Sequence, residues 1–220
     1  MEKIIRIYDL NKPEADPFCL TGSESGIRCG LFGQNDNILY TSCANDGGVR
    51  IWDPRSGQLA RKMETDAPVT DIELSSCGSY LCTCDGNTVR IWETKDFQEI
   101  KRHDMDFTIE GASYFPSSGK LAMGGADMWV RLFDYNNMEE IACHKGHHGP
   151  VHCVRFAPGG ESFASGSEDG TIRIWITDVG ENDVVVGNDE SSNGVATKVA
   201  GTTLNSQSGT NLPNTVNETG

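Results

Sequence analysis

The sequence predicts an all-β fold built from a repeated four-stranded unit, a partial, open β-propeller. Three observations carry that prediction. A short motif recurs five times: RIYD from Arg6, RIWD from Arg50, RIWE from Arg90, RLFD from Arg131 and RIWI from Arg173. Its aromatic residues Tyr8, Trp52, Trp92, Phe133 and Trp175 stand 44, 40, 41 and 42 residues apart. Two β-prone runs precede each of the last four aromatics, and no stretch sustains a helical period of about 3.6. A period of roughly 40–45 residues holding four short strands is the signature of stacked propeller blades. One such sheet cannot bury both of its faces, whereas radial stacking buries each blade against its neighbours.

The elements follow in order. The opening KIIRIYD reads as the third strand of a blade whose first two strands are absent. The next period has runs at 26–32 and 38–43, an Asp46-Gly47 turn and a strand ending at Trp52. The third has runs at 69–74 and 79–84, Asp85-Gly86 and Trp92. The fourth has 108–114 and 120–123, then Asp127 and Phe133. The last has 151–156 and 162–165, Asp169-Gly170 and Trp175. Loops such as SSCGS, PSSGK and APGGE separate the paired runs and read as tight turns. The propeller is therefore assigned to residues 1–178, as about four blades and a leading strand. Residues 179–220 are rich in Gly, Asn, Ser, Thr and Val and contain no aromatic. Such a tail cannot bury enough apolar surface to offset ordering and is expected to be disordered, with 183–186 as a candidate outer strand of the last blade.

Charge narrows the function. The 220 residues hold 18 Lys and Arg against 32 Asp and Glu, a net charge of −14. A duplex-binding surface needs cations that displace counterions from phosphate, so broad nucleic-acid binding is not expected. No apolar run approaches the roughly 20 residues of a membrane helix, and the N-terminus lacks the apolar core of a secretory signal. The eight cysteines show no C-x-x-C pair and fall mostly in strand-like stretches, so a reduced intracellular protein without disulfides is expected. An array that stops short of a closed ring exposes blade faces, and self-association is expected of it.

The chemistry-bearing residues read mostly as structural. The segment CHKGHHGPVHC at 143–153 gathers four of the five histidines with two cysteines, but its spacing fits no familiar zinc finger. No metal and no cofactor are assigned. The sequence has no G-x-S-x-G elbow, no H-E-x-x-H and no phosphate loop, so no catalytic residues are assigned and no enzyme is predicted. The repeated Arg at 6, 50, 90, 131 and 173 is expected to lay its stem on apolar surface and meet local acids.

The last period, GHHGPVHCVRFAPGGESFASGSEDGTIRIW, strongly resembles the WD-repeat family. The resemblance implies that His147, Ser165, Asp169 and Trp175 form a hydrogen-bonded chain fixing the blade register. Ser42, Asp46 and Trp52 keep the same spacing without a matching His, the Trp92 period is a residue short at its turn, and the Phe133 period keeps Asp127 but has Met123 where Ser is expected. Those blades are expected to be held mainly by apolar packing. Segments 4–17 and 145–175 further resemble a scaffold branch of the family. That branch implies a non-catalytic adaptor in spliceosomal small nuclear ribonucleoprotein assembly within the survival-of-motor-neuron complex, in cytoplasm and nucleus, with a further role at receptor kinases. A propeller subunit of a translation initiation factor is the rival branch. A third reading rests on Trp52-Asp53-Pro54-Arg55, which resembles the motif by which some WD-repeat proteins dock on a cullin-RING ubiquitin-ligase adaptor, with Trp52, Asp53 and Arg55 as contacts.

Overall fold

The structure, a computed structural model, describes residues 2–23 and 25–177. Strands β1 (Ile5–Ile7) and β2 (Phe18–Leu20) form a two-stranded antiparallel unit, with Ile5 opposite Leu20. The first complete sheet comprises β3 (Ile27–Phe32), β4 (Leu39–Cys43), β5 (Asp46–Asp53) and the first part of β6 (Gln58–Leu74). The second part of β6 opens the next sheet, followed by β7 (Tyr80–Asp85), β8 (Thr88–Glu93) and β9 (Glu99–Asp104). The third sheet is β10 (Ile109–Phe115), β11 (Lys120–Gly125), β12 (Trp129–Asp134) and β13 (Glu140–Lys145). The last has β14 (Val151–Phe156), β15 (Ser162–Ser167) and β16 (Ile172–Ile176). The helical residues among those described are two single 3-10 turns, Gln34–Asp36 and Pro116–Ser118. The expected outer strand at 183–186 and the tail from 179 lie outside the described residues.

Sequence order dictates this up-and-down topology, because every sheet neighbour is also a chain neighbour and every pair is antiparallel. The first hairpins of three blades turn on Gly78, Gly119 and Gly160, at φ +70°, +61° and +75°, where a side chain would be strained. One boundary differs from the sequence reading. The fourth strand of the first complete blade and the first strand of the next are a single 17-residue strand, β6. Its middle, Glu64-Thr65-Asp66-Ala67-Pro68, contains no Gly and stays extended, so register shifts between Gly47 and Val49 and between Val69 and Asp71 do the work of a turn.

The core lies between blades. The third strands β5, β8 and β12 carry the apolar pairs Val49/Ile51, Val89/Ile91 and Val130/Leu132, at 2% exposure or less. The first pair shares a cluster with Val69, Ile72 and Leu81. The second joins Ile109, Ala112 and Leu121, and the third joins Val151, Val154 and Phe163. Burying one such side chain contributes about 1.5–3 kcal/mol before entropy. Each junction therefore rests on a few residues fixed by the period-2 pleat of one strand. The corresponding residues of β16, Ile172 and Ile174, are 78% and 75% exposed. All eight cysteines are free. Burial pushes the thiols of Cys82 and Cys84 well above their usual range, which suits their packing role.

Candidate functional site

In the last blade, β15 and β16 pair Ser165 with Arg173, which sets the Ser165 hydroxyl diagonally beside Trp175. Trp175 Nε1–H donates to Ser165 Oγ at 2.8 Å. Ser165 Oγ lies 2.7 Å from His147 Nε2, and His147 Nδ1 lies 3.1 Å from Asp169 Oδ2. With His147 protonated on Nδ1, each donor in this chain has an acceptor. Asp169 also accepts the Thr171 hydroxyl at 2.6 Å and the backbone N–H of His148 at 2.9 Å. Those bonds, led by the Thr171 hydroxyl, hold the Asp169 carboxyl well below its usual range.

A Ser–His–Asp array also serves nucleophilic catalysis, so burial has to decide between the two uses. Ser165 is 1% exposed and its oxygen already accepts from Trp175, so no substrate carbon reaches it. The arrangement can fix a register; it cannot present a nucleophile.

The other blades keep the hydroxyl–indole bond in altered form. Trp52 Nε1 donates to Thr41 Oγ1 at 2.9 Å, not to Ser42. The pleat turns Ser42 to the opposite face, where it meets Cys29 Sγ at 3.0 Å. A bulge between Ser42 and Cys43 lengthens this blade's turn by a residue, so counting back from the tryptophan selects the wrong hydroxyl. In the Trp92 blade, Trp92 Nε1 donates to Thr83 Oγ1 at 2.9 Å. These two blades thus add one buried polar bond to the mainly apolar packing expected of them. The common signal is register: Thr41, Thr83 and Ser165 each lie opposite the repeated arginine. Met123 lies opposite Arg131 and is fully buried, and Phe133 packs in its cluster without a polar bond.

The turn aspartates face those arginines. Asp46 pairs with Arg50 and, at 3.0 Å, with Lys62. Asp85 meets Arg90 at 2.8 Å, and Arg90 also reaches Glu99 and Asp66 at 2.7 Å. Asp127 pairs with Arg131. Along the inner strands, Arg155 forks onto Asp71 at 2.6 and 2.7 Å. Glu73 accepts Ser113 Oγ at 2.8 Å, and Ser113 Oγ accepts Phe156 N–H at 3.0 Å. Burial pushes Glu73 up to about 7 against the opposing pull of Arg155. The sequence gives no hint of this inner network, because its members come from β6, β10 and β14 and meet only in the folded array.

Trp52 is buried, and Asp53 Oδ1 accepts the Arg55 N–H at 2.8 Å while Asp53 Oδ2 accepts the Ser56 hydroxyl at 2.9 Å. Arg55 is exposed and donates to Asn37 Oδ1 at 2.9 Å. The residues of 143–153 scatter: His144 stacks on Trp175 at 4.7 Å, His152 lies 3.8 Å from Glu168, and Cys153 is exposed. Among the described residues no group of His, Cys, Asp and Glu is placed to hold a metal ion, and no helix is long and apolar enough to cross a membrane.

Four antiparallel blade units, each keyed by an inward tryptophan or phenylalanine, define a β-propeller repeat protein. The family profile described as "WD domain, G-beta repeat" matches residues 16–53, 57–93 and 138–175, and the chain belongs to that family. It is 39% identical over 180 residues to the serine-threonine kinase receptor-associated protein of Gallus gallus, covering 82% of this chain and 51% of that protein. The Dictyostelium discoideum protein of the same name is 38% identical over 174 residues, covering 79% of this chain and 59% of that protein. Eukaryotic translation initiation factor 3 subunit I of Drosophila erecta is 30% identical over 192 residues, covering 79% and 59%. A solved structure titled "Structure of U3-55K" superposes with a TM-score of 0.63 at 19% identity, covering 79% of this chain and 52% of that one, which supports the fold. The chain spans about half the length of the curated relatives it matches.

Proposed function

We propose that this chain is a non-catalytic scaffold that holds proteins together during assembly of spliceosomal small nuclear ribonucleoproteins, within the survival-of-motor-neuron complex, in cytoplasm and nucleus. The observation that carries the reading is the 39% identity over 180 residues to the serine-threonine kinase receptor-associated protein of Gallus gallus. The site geometry supports the absence of chemistry, since the His147–Ser165–Asp169 chain is closed to solvent reactants and the turn aspartates face arginines. Association with a receptor kinase, which the relative's name records, is proposed as a secondary role. The rival is a subunit of translation initiation factor three, on 30% identity over 192 residues. Affinity purification of the full chain from cells, with partners identified by mass spectrometry, separates them. Recovery of Sm-protein assembly factors is expected. Recovery of initiation-factor subunits in their place would overturn the assembly role in favour of the rival.

A further inference from the structure

The third blade departs from its neighbours at one turn. Between β15 and β16 the chain reads Asp169-Gly170-Thr171, and between β7 and β8 it reads Asp85-Gly86-Asn87. The β11–β12 turn reads Asp127-Met128-Trp129. Gly170 and Gly86 have φ +78° and +63°, where glycine bears no steric penalty, yet Met128 has φ +68°. A methionine held in the left-handed region is strained, and such strain persists where the residue serves something other than the turn. Met128 and Trp129 are 39% and 36% exposed, so both side chains reach the surface at this turn. This blade is also the one that falls between the ranges matched by the repeat profile, which leaves out 94–137.

Two cations complete the patch. Lys145 Nζ stands 3.9 Å from the centre of the Trp129 ring, and the Arg131 guanidinium 5.1 Å from it. Arg131 pairs with Asp127 and Glu140. Lys145 is exposed and has no ion-pair partner among the described residues, in a chain whose net charge is −14. The two cations compete with a nucleobase for the faces of the indole, so base stacking is disfavoured there. A partly exposed tryptophan, a pliable thioether and an ammonium without an ion-pair partner among the described residues together fit a protein segment that offers a bulky apolar side chain beside a carboxylate.

We propose that the Met128-Trp129 turn with Lys145 is a docking point for a partner protein segment carrying an acidic residue next to an apolar anchor. This rests on the scaffold reading and names a contact surface for it. Phage-displayed random dodecapeptides, selected on the full chain and sequenced, supply the probe. The recovered peptides are expected to pair Asp or Glu with Leu, Phe or Met. Their affinity is expected to fall about tenfold or more for Met128→Gly and for Lys145→Glu. Met128→Gly is expected also to leave the melting temperature unchanged or slightly raised, so that its loss of peptide affinity is not a loss of folding. Peptides that bind the wild type and both variants alike would overturn the docking point while leaving the scaffold reading intact. So would selected peptides without acids, an oligouridylate that competes at Trp129, or selection of no peptide, and partner recovery from cells then judges the scaffold reading separately.

Discussion

Replacing Ser165 by alanine removes one oxygen that two neighbours share. Trp175 Nε1–H loses its acceptor at 2.8 Å, and His147 Nε2 loses its partner at 2.7 Å. Ser165 is 1% exposed, so water does not replace the missing hydroxyl without disturbing the sheet. Each buried group left unpaired costs about 1–3 kcal/mol. Trp175 is only half-buried, which brings the expected loss to about 3 kcal/mol in place of the upper sum. Ser165→Thr is the internal control, because Thr41 and Thr83 fill the corresponding place in other blades. It keeps the hydroxyl, and its added methyl is expected to cost about 1 kcal/mol, less than the alanine change. Urea unfolding of the full chain, followed by fluorescence and by hydrogen exchange of the β15 and β16 amides, reads both changes. Equal stability of Ser165→Ala and wild type would refute the reasoning, as would a Thr variant as damaged as the Ala variant.

Further expectations rest on other particulars. Thr41→Ala is expected to lower the urea midpoint more than Ser42→Ala, because Thr41 accepts from a buried indole while Ser42 meets only a weakly polar thiol; the reverse order would restore the spacing-based assignment. Burial holds His144 below its ordinary 6.5, so the folded state resists protonation and stability falls as pH drops through 6.5; His144→Phe should abolish that fall in urea midpoints. Glu73 has the opposite sign, since its pKa rises from 4.5 to about 7; its contribution is full below 4.5 and lost as pH rises through 7, and Glu73→Gln should remove this dependence. Paired Ile172→Lys and Ile174→Lys changes should reduce self-association in sedimentation velocity, because both side chains lie open on β16; unchanged association would refute that route. Arg55→Ala should leave partner recovery unaltered, because Trp52 and Asp53 are engaged within their own blade; loss of a ubiquitin-ligase adaptor would establish the docking motif instead.

The repeat made the blades legible, because the same pleat must bury the same positions each time. Trp52, Trp92, Phe133 and Trp175 lie within the third strands, and Tyr8 directly follows β1, where it is exposed. What the period did not disclose is register. Thr41 and Thr83 escaped because turn lengths differ by a residue between blades, and one residue flips a side chain to the other face. The inner network of Asp71, Glu73, Ser113 and Arg155 escaped for another reason. Its partners lie 40 to 84 residues apart, and only curvature of the array brings them together. The Met128 turn was visible as letters, but its backbone conformation was not.

Strand β6 gives the array a property of its own. Its 17 residues run from the outer edge of one sheet to the inner edge of the next. The passages before β10 and β14 are loops between separate sheets, and a protease that cuts such a loop leaves both sheets standing. Here residues 58–63 pair with β5 and 69–74 with β7, and the stretch between them stays extended within one strand. A single cut near Thr65 would unlace two sheets at once, and a pull on one would load the other directly. The first two complete blades are therefore expected to unfold as one piece, with unfolding beginning at the loop passages before β10 and β14.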